Sequence, residues 1–233
     1  MTRYHQAYAG ILLALDNAGA GPPRPSSIRL LAVSKTRPPE DIATLAAAGQ
    51  RAFGENYVQE ALPKIEALRG LGLEWHLIGH LQSNKARDAA NAFDWVQTVD
   101  RPKLVSALAQ HRPSNRPRLN VLIQVNIDDE SSKHGCRPDA IASLADAITA
   151  QPRLALRGLM AIPAPHRDPE SRRPAFRRMK QLFDELGARH PGIDTLSMGM
   201  SDDYAIAIEE GATMVRIGTA LFGARPSKTD MRQ

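Results

Sequence analysis

Residues 28–39 read IRLLAVSKTRPP and combine an apolar strand, a lysine and a helix start. The aliphatic run up to Val33 is typical of a parallel strand buried on both faces, and the prolines at its end indicate the beginning of a helix. Side chains alternate along a strand, so Lys35 would share a face with Leu31 and Val33. An amine would then stand at the carboxyl end of a strand, where α/β proteins place their chemistry. In the alternative reading Lys35 has left the strand and is solvated, and this stretch alone does not decide between the two.

Strand and helix signals alternate along the rest of the chain. The eight predicted strands are 28–34, 51–53, 74–78, 95–99, 119–126, 156–162, 195–197 and 214–217. Each is followed by a helix or a helix start, which predicts an α/β fold with a single (β/α)8 TIM barrel. The barrel domain would span 1–233, with an extra amphipathic N-terminal helix and a poorly structured tail from about residue 225. An open six-stranded sheet is the alternative, because the signals at 51–53 and 195–197 are weak.

Composition excludes several classes of protein. No run of about 18 apolar residues exists, so no membrane span is predicted. The chain has one cysteine, Cys136, which excludes an internal disulfide and fits a cytoplasmic location. The net charge is +5, but the arginines are scattered among prolines and only 5% of residues are aromatic, so we predict no nucleic-acid partner. The positive charge still favours a small anionic ligand.

Two predicted strand ends could hold a phosphate group. Gly218 and Thr219 follow the eighth strand, where backbone N–H groups and a hydroxyl could bind an anion. Ser201 follows the seventh strand in the sequence GMSDD. Each segment also has an ordinary reading, as a tight strand-to-helix turn or as a helix N-cap. The two segments follow adjacent strands, and the closure of the barrel would place them next to the strand that leads to Lys35. This arrangement favours the phosphate site.

Arg216 shares a strand face with Gly218 and should point into the same pocket. A buried arginine needs a carboxylate or a ligand as its partner. A lysine attacks an aldehyde only as the neutral amine, and Arg216 is a candidate for the neighbouring cation that favours this form. Lysine, arginine and a phosphate site together suggest a Schiff base with a phosphorylated aldehyde, and pyridoxal 5'-phosphate (PLP) is the leading candidate. No histidine pair has metal-binding spacing, so no metal site is predicted; His80 and Cys136 read as loop residues.

Seven stretches occur along the chain in an order that one known family shares. They are LLAVSKTRPPEDI (30–42), FGENYVQEALPKI (53–65), LEWHLIGHLQSNK (73–85), LNVLIQVNI (119–127), SKHG (132–135), GLMAIP (158–163) and LSMGMSDDYAIAIEEGATMVRIGTALFG (196–223). Over about residues 28–224 the chain thus resembles the pyridoxal phosphate homeostasis proteins. That family is similar to the N-terminal barrel of alanine racemase, so the resemblance implies a TIM barrel of the fold III PLP type.

The resemblance also implies a cofactor site. Lys35, in the Val-Ser-Lys motif, would carry PLP as a Schiff base, and Arg216 would face the pyridine nitrogen. Three residues would hold the phosphate, and two from the Gly-Glu-Asn and Ser-Met-Gly-Met motifs would line the cofactor. The residues that would hold the phosphate are Ser201, Gly218 and Thr219, and those that would line the cofactor are Asn56 and Met198.

The resemblance implies a binding protein and not an enzyme. Arginine opposite the ring nitrogen disfavours protonation of the ring and weakens the electron sink that carbanion chemistry needs. The chain ends about ten residues after the eighth strand–turn unit, so the second domain of the racemases is expected to be absent and the protein to be a monomer. The implied role is reversible binding and release of PLP in vitamin B6 homeostasis, with PLP-dependent apo-enzymes as candidate recipients. The alternatives are a minimal PLP-dependent amino-acid racemase and a Schiff-base aldolase without a cofactor.

Overall fold

The computed structural model describes residues 3–18, 28–130 and 133–223. Its eight strands are all parallel and close into a barrel in chain order, with the last strand hydrogen-bonded to the first. The strands are β1 (Arg29–Val33), β2 (Ala52–Glu55), β3 (Glu74–Leu77), β4 (Trp95–Val99), β5 (Leu119–Val125), β6 (Leu154–Ala161), β7 (Thr195–Met200) and β8 (Met214–Ile217). The predicted closed barrel is confirmed, and the open sheet is excluded because β2 and β7, the two weak signals, are full members of it.

Helices connect successive strands on the outside of the barrel. The helices are α1 (Arg3–Ala18), α2 (Pro39–Ala47), α3 (Val58–Ala67), α4 (Ala86–Ala92), α5 (Pro102–His111), α6 (Ile141–Thr149), α7 (Arg173–Arg189), α8 (Tyr204–Glu209) and α9 (Thr219–Phe222). In the part of the chain described here, none of them is long and apolar enough to cross a bilayer. The tail predicted from about residue 225 lies outside the described residues.

The helix α1 is the predicted N-terminal addition to the barrel. Its buried residues are Tyr4, Ile11 and Leu15, while Leu12 is 37% exposed. Tyr4 meets the ring of Phe222 in α9 edge to face, with centroids 5.9 Å apart. Since α9 follows β8 directly, α1 packs against the segment that carries the predicted phosphate residues.

The amphipathic pattern of α7 shows how the helices hold to the barrel. Phe176, Met179, Leu182 and Leu186 are buried at spacings of three or four residues, so they form one apolar face. Each fully buried side chain of this size stabilises the fold by roughly 1.5–3 kcal/mol. The main hydrophobic core therefore lies between strands and helices, and it is separate from two smaller clusters of buried residues.

These two clusters fill part of the barrel interior. One contains Leu31 and Met214, and the other contains Trp95, Leu122 and Met160. Residues that flank them on the same strands belong to the outer core, so the alternation of side chains directs the clusters inward. Polar residues also occupy the interior, among them His76, Gln97, Ser197 and Arg216.

Candidate functional site

Lys35 lies in the turn immediately after β1, at the carboxyl end of the barrel. The strand ends at Val33, and Lys35 is partly buried. Together with Val33, Arg37, Gly218 and Thr219, it lines a cavity of about 30 Å³. The structure therefore brings three predicted site residues, Lys35, Gly218 and Thr219, to one place. Lys35 is neither in the strand nor fully solvated.

Gly218 lies beside Val33, where the end of β8 meets the end of β1. A Cβ atom at this position would lie 3.4 Å from both the Cβ and the carbonyl oxygen of Val33, which is at the edge of ordinary contact. The helix α9 begins at the next residue, Thr219, so the ordinary reading of a strand-to-helix turn describes the backbone correctly. The first N–H groups of a helix have no partner within the helix, and here they adjoin the cavity.

Ser201 lies in the turn after β7. The pairing of Met200 with Arg216 brings Ser201 level with the end of β8, close to the turn at Gly218. Asp203, and not Ser201, is the residue before α8, and its Oδ1 accepts a hydrogen bond of 2.6 Å from the Met200 N–H. Ser201 is therefore not the helix cap that its alternative reading proposed.

A buried ion pair supports the backbone beside Lys35. Glu55 is fully buried at the end of β2, and its carboxylate accepts bonds of 2.9 and 3.0 Å from Lys64 Nζ and of 2.6 Å from Ser34 Oγ. Lys64 also donates to the Ser34 carbonyl oxygen at 3.0 Å and to Glu60 at 2.7 Å. Burial raises the pKa of Glu55, while the bonds from Ser34 and Lys64 oppose that rise.

Glu60, which lies beside Lys64 in α3, contacts Thr36, the residue on the other side of Lys35. The carboxylate of Glu60 accepts a hydrogen bond from the backbone N–H of Thr36, a residue with φ of 63°. A positive φ is unusual for a non-glycine residue and needs support from its surroundings. Lys64 and Glu60 thus hold both sides of Lys35 in place. Neither Glu55 nor Lys64 was among the residues that the sequence predicted for the site.

Arg216 lies on β8 and points into the barrel, since its neighbours Val215 and Ile217 belong to the outer core. It is 3% exposed. Its guanidinium donates to Ser197 Oγ at 2.8 Å and to the Ala161 carbonyl oxygen at 2.9 Å. The sequence predicted a carboxylate or a ligand as its partner, and the described contacts are to a hydroxyl and a carbonyl instead. Burial lowers the pKa of Arg216 to about 10, so the side chain remains charged at neutral pH.

A chain of hydrogen bonds continues from Arg216 through the barrel interior. The Ser197 hydroxyl donates to Gln97 Oε1 at 2.7 Å, and Gln97 Nε2 lies 2.9 Å from His76 Nδ1. His76 Nε2 lies 2.6 Å from Glu74 Oε1. A carboxylate only accepts, so His76 carries its proton on Nε2, and burial lowers the pKa of its imidazole toward the neutral form. Every link therefore donates in one direction, from Arg216 to Glu74.

Asn56 and Met198 are placed differently from the residues around Lys35. Asn56 follows β2 and is partly buried, and it lines a separate cavity of about 370 Å³ together with Gly79 and His80. Met198 is fully buried in the main hydrophobic core and does not belong to the residues that line either of these cavities in the described chain. The cofactor contacts of both residues stay predictions.

Comparison with known proteins places the chain among relatives of known type. A family model described as alanine racemase, N-terminal domain, matches residues 25–226. The pyridoxal phosphate homeostasis protein of Pasteurella multocida is 55% identical over 204 residues, which cover 86% of this chain and 88% of that protein. The chain belongs to the pyridoxal phosphate homeostasis protein family. The protein of that name from Escherichia coli strain K12 is 54% identical over 204 residues, covering 86% of this chain and 87% of the relative.

A solved structure supports the same relationship. PipY from Synechococcus elongatus, determined with PLP bound, superimposes with a TM-score of 0.83 at 34% sequence identity. The match covers 95% of this chain and 100% of PipY. The resemblance found in the sequence motifs is confirmed, and so is the barrel of the alanine racemase type.

Proposed function

We propose that this protein binds PLP without catalysing a reaction on it, and that it serves intracellular PLP homeostasis by reversible binding and release. The observation that carries the proposal is the cavity in which Lys35 meets Gly218 and Thr219 at the carboxyl end of the barrel. Relatives with more than 50% sequence identity are named pyridoxal phosphate homeostasis proteins, and the structure of PipY has been determined with PLP bound.

The residues present fit the cofactor. Lys35 supplies a primary amine for the aldehyde, and the cavity of about 30 Å³ beside it admits a small group such as a phosphate but not a whole ring. We assign the phosphate to Ser201, Gly218 and Thr219, and the ring to the open rim above Arg216. Asn56 and Met198 are the further lining residues that the family motifs propose. When bound, PLP supplies an aldehyde that condenses reversibly with a primary amine.

The chain's own residues favour holding the cofactor over activating it. Arg216 stays charged at neutral pH and its partners Ser197 and Ala161 fix its position. A charged donor directed at the ring nitrogen leaves that nitrogen unprotonated, which weakens the electron withdrawal that most PLP reactions require. Glu55, through Ser34 and Lys64, keeps the turn that bears Lys35 in one conformation.

The finer features of the role belong to the same proposal. PLP-dependent apo-enzymes are the proposed recipients, the proposed state is a monomer, and the proposed location is the cytoplasm, which suits a chain with a single cysteine. The alternative function is a minimal PLP-dependent amino-acid racemase. It predicts turnover of an amino acid that disappears in Lys35→Ala.

The test is the visible absorbance of the purified protein after incubation with PLP. We expect the wild type to become yellow and borohydride to fix the label on Lys35, as read by peptide mass spectrometry. Lys35→Ala should remain colourless, and Lys180→Ala, which alters an exposed lysine paired with Asp184, should behave as the wild type. A wild type that takes up no added PLP would overturn the proposal.

A further inference from the structure

Three potential metal ligands from distant parts of the sequence meet at the carboxyl ends of neighbouring strands. His80 follows β3, Asp100 follows β4 directly, and His134 lies in the segment after β5. Because these strands are adjacent and parallel, the residues that follow them reach the same sector of the rim. The ligand atoms of the three side chains all lie within 4.8 Å of one another. The sequence predicted no metal site, because no two histidines are spaced for ligation along one helix.

The backbone that carries His80 is fixed on both sides. Thr98 Oγ1 donates to the Gly79 carbonyl oxygen at 2.9 Å, and Arg101 donates to the Leu81 carbonyl oxygen at 2.9 Å. Arg101 also donates to Oδ1 of Asp100, while the other carboxylate oxygen, Oδ2, lies 4.0 Å from His80 Nδ1. The guanidinium therefore orients the carboxylate, as an outer-shell residue does around a metal ion.

The backbone that carries His134 is fixed against β5. Gln124 Nε2 donates to the His134 carbonyl oxygen at 3.3 Å. The next pairs are backbone bonds: Cys136 N–H donates to the Gln124 carbonyl oxygen, and Asn126 N–H to the Cys136 carbonyl oxygen, both at 2.9 Å. Cys136 is buried, and the cluster of potential ligand atoms consists of His80, Asp100 and His134, so we do not count the Cys136 thiol as a ligand.

The imidazole rings of His80 and His134 lie against each other. Their rings stack with centroids 3.7 Å apart and planes inclined by 15°. Burial and the neighbouring His134 lower the pKa of His80. Asp100 and Arg101 are the charged groups that also face His80, the first raising its pKa and the second lowering it.

We propose that His80, Asp100 and His134 form a binding site for a divalent transition-metal ion of the zinc class. Two imidazole nitrogens and one carboxylate oxygen are a common zinc ligand set, whereas magnesium and calcium prefer oxygen alone. Two ligand atoms about 2.1 Å from one tetrahedral zinc ion lie about 3.4 Å apart, so metal binding would require one exposed imidazole to rotate out of the stack. The fourth position would face the cavity of about 370 Å³ that His80 and His134 line with Gln82 and Lys85.

The site is tested by titrating the full-length, tag-free protein, without PLP, with Co²⁺ followed by visible spectroscopy and with Zn²⁺ by calorimetry. We expect one equivalent to bind and the affinity to fall about tenfold or more in His80→Ala, His134→Ala and Asp100→Asn. His190→Ala is the matched control, since His190 is also a partly exposed histidine with an aspartate, Asp146, 3.8 Å away. It should bind as the wild type does.

Several results would overturn the site. These are a wild type that binds no Co²⁺ or Zn²⁺ near stoichiometric concentration, and His80→Ala and His134→Ala proteins that bind as tightly as the wild type. Both histidines are exposed at the rim, so their alanine variants should fold, and thermal unfolding of each variant checks this. The site does not depend on PLP binding, because the titration uses neither Lys35 nor the cofactor.

Discussion

Replacing Lys64 by methionine tests whether the buried ion pair holds the turn of Lys35. Methionine keeps the length and apolar stem of lysine but removes the ammonium group. Four hydrogen bonds from Nζ are lost, to Ser34, to both oxygens of Glu55 and to Glu60. Glu55, which is fully buried, then keeps the hydrogen bond from the Ser34 hydroxyl but loses its cationic partner. Breaking a buried pair in this way costs about 3–5 kcal/mol of unfolding free energy.

Urea denaturation at pH 7 measures that cost directly. The control is Lys180→Met, because Lys180 forms the same kind of i,i+4 pair, with Asp184, but both side chains are at least 40% exposed. Such exposed helix pairs contribute about 0.3–0.5 kcal/mol. The double variant Glu55→Gln/Lys64→Met should be more stable than Lys64→Met alone, since the uncompensated charge is gone.

The pH dependence supplies a second readout. Burial raises the pKa of Glu55, and loss of Lys64 removes two of the effects that oppose this rise. A carboxyl whose pKa is raised by folding stabilises the folded state below its unfolded pKa, and that stability is lost as the pH rises through the folded pKa. The deficit of Lys64→Met should therefore shrink as the pH falls from 7 toward 5. A deficit below about 1 kcal/mol, or one independent of pH, would refute the reasoning.

Three further predictions concern packing and reactivity. Gln97→Leu removes the middle of the interior hydrogen-bond chain and should cost about 1–3 kcal/mol in urea unfolding, because its neighbours are left unsatisfied inside the barrel. Gly79→Ala places a Cβ 2.0 Å from the Asn56 carbonyl oxygen and should lower stability by about 1–3 kcal/mol, whereas Gly187→Ala, in α7 with no atom within 4 Å of the new Cβ, should raise it by about 0.5–1 kcal/mol. Cys136 should react with iodoacetamide at pH 8 far more slowly in the folded than in the urea-unfolded protein, because its thiol is buried and its pKa is raised to about 12; equal rates would contradict this.

Local sequence patterns predict most of the fold. The strand bounds follow the sequence because buried parallel strands are short aliphatic runs between turn residues, and six of the eight were evident on that basis. The pattern at 51–53 was too short to decide, since β2 includes Gly54 and the buried Glu55. Glycine and glutamate are depleted in strands, and only the pairing with both neighbours makes this segment one.

Part of the candidate site could also be predicted from the sequence, and part could not. Lys35, Gly218 and Thr219 could be predicted because residues just after parallel strands must gather at one rim. The partner of Glu55 could not, because Lys64 reaches it from the middle of a helix, and no local pattern marks a lysine as buried. The cluster of His80 and His134 was missed for a related reason: its members are separated by whole strand–helix units, so their meeting depends on strand order and not on spacing along the chain.

The one-directional chain inside the barrel has a consequence for how this sequence can diverge. Each of Ser197, Gln97 and His76 receives a hydrogen bond from one neighbour and gives one to the next. Replacing one of these residues therefore leaves a hydrogen-bond donor on one side and an acceptor on the other without a partner. Replacing several together can leave every remaining polar group hydrogen-bonded. Among homologous barrels these positions should covary, passing from one fully bonded set to another with few mixed sequences between.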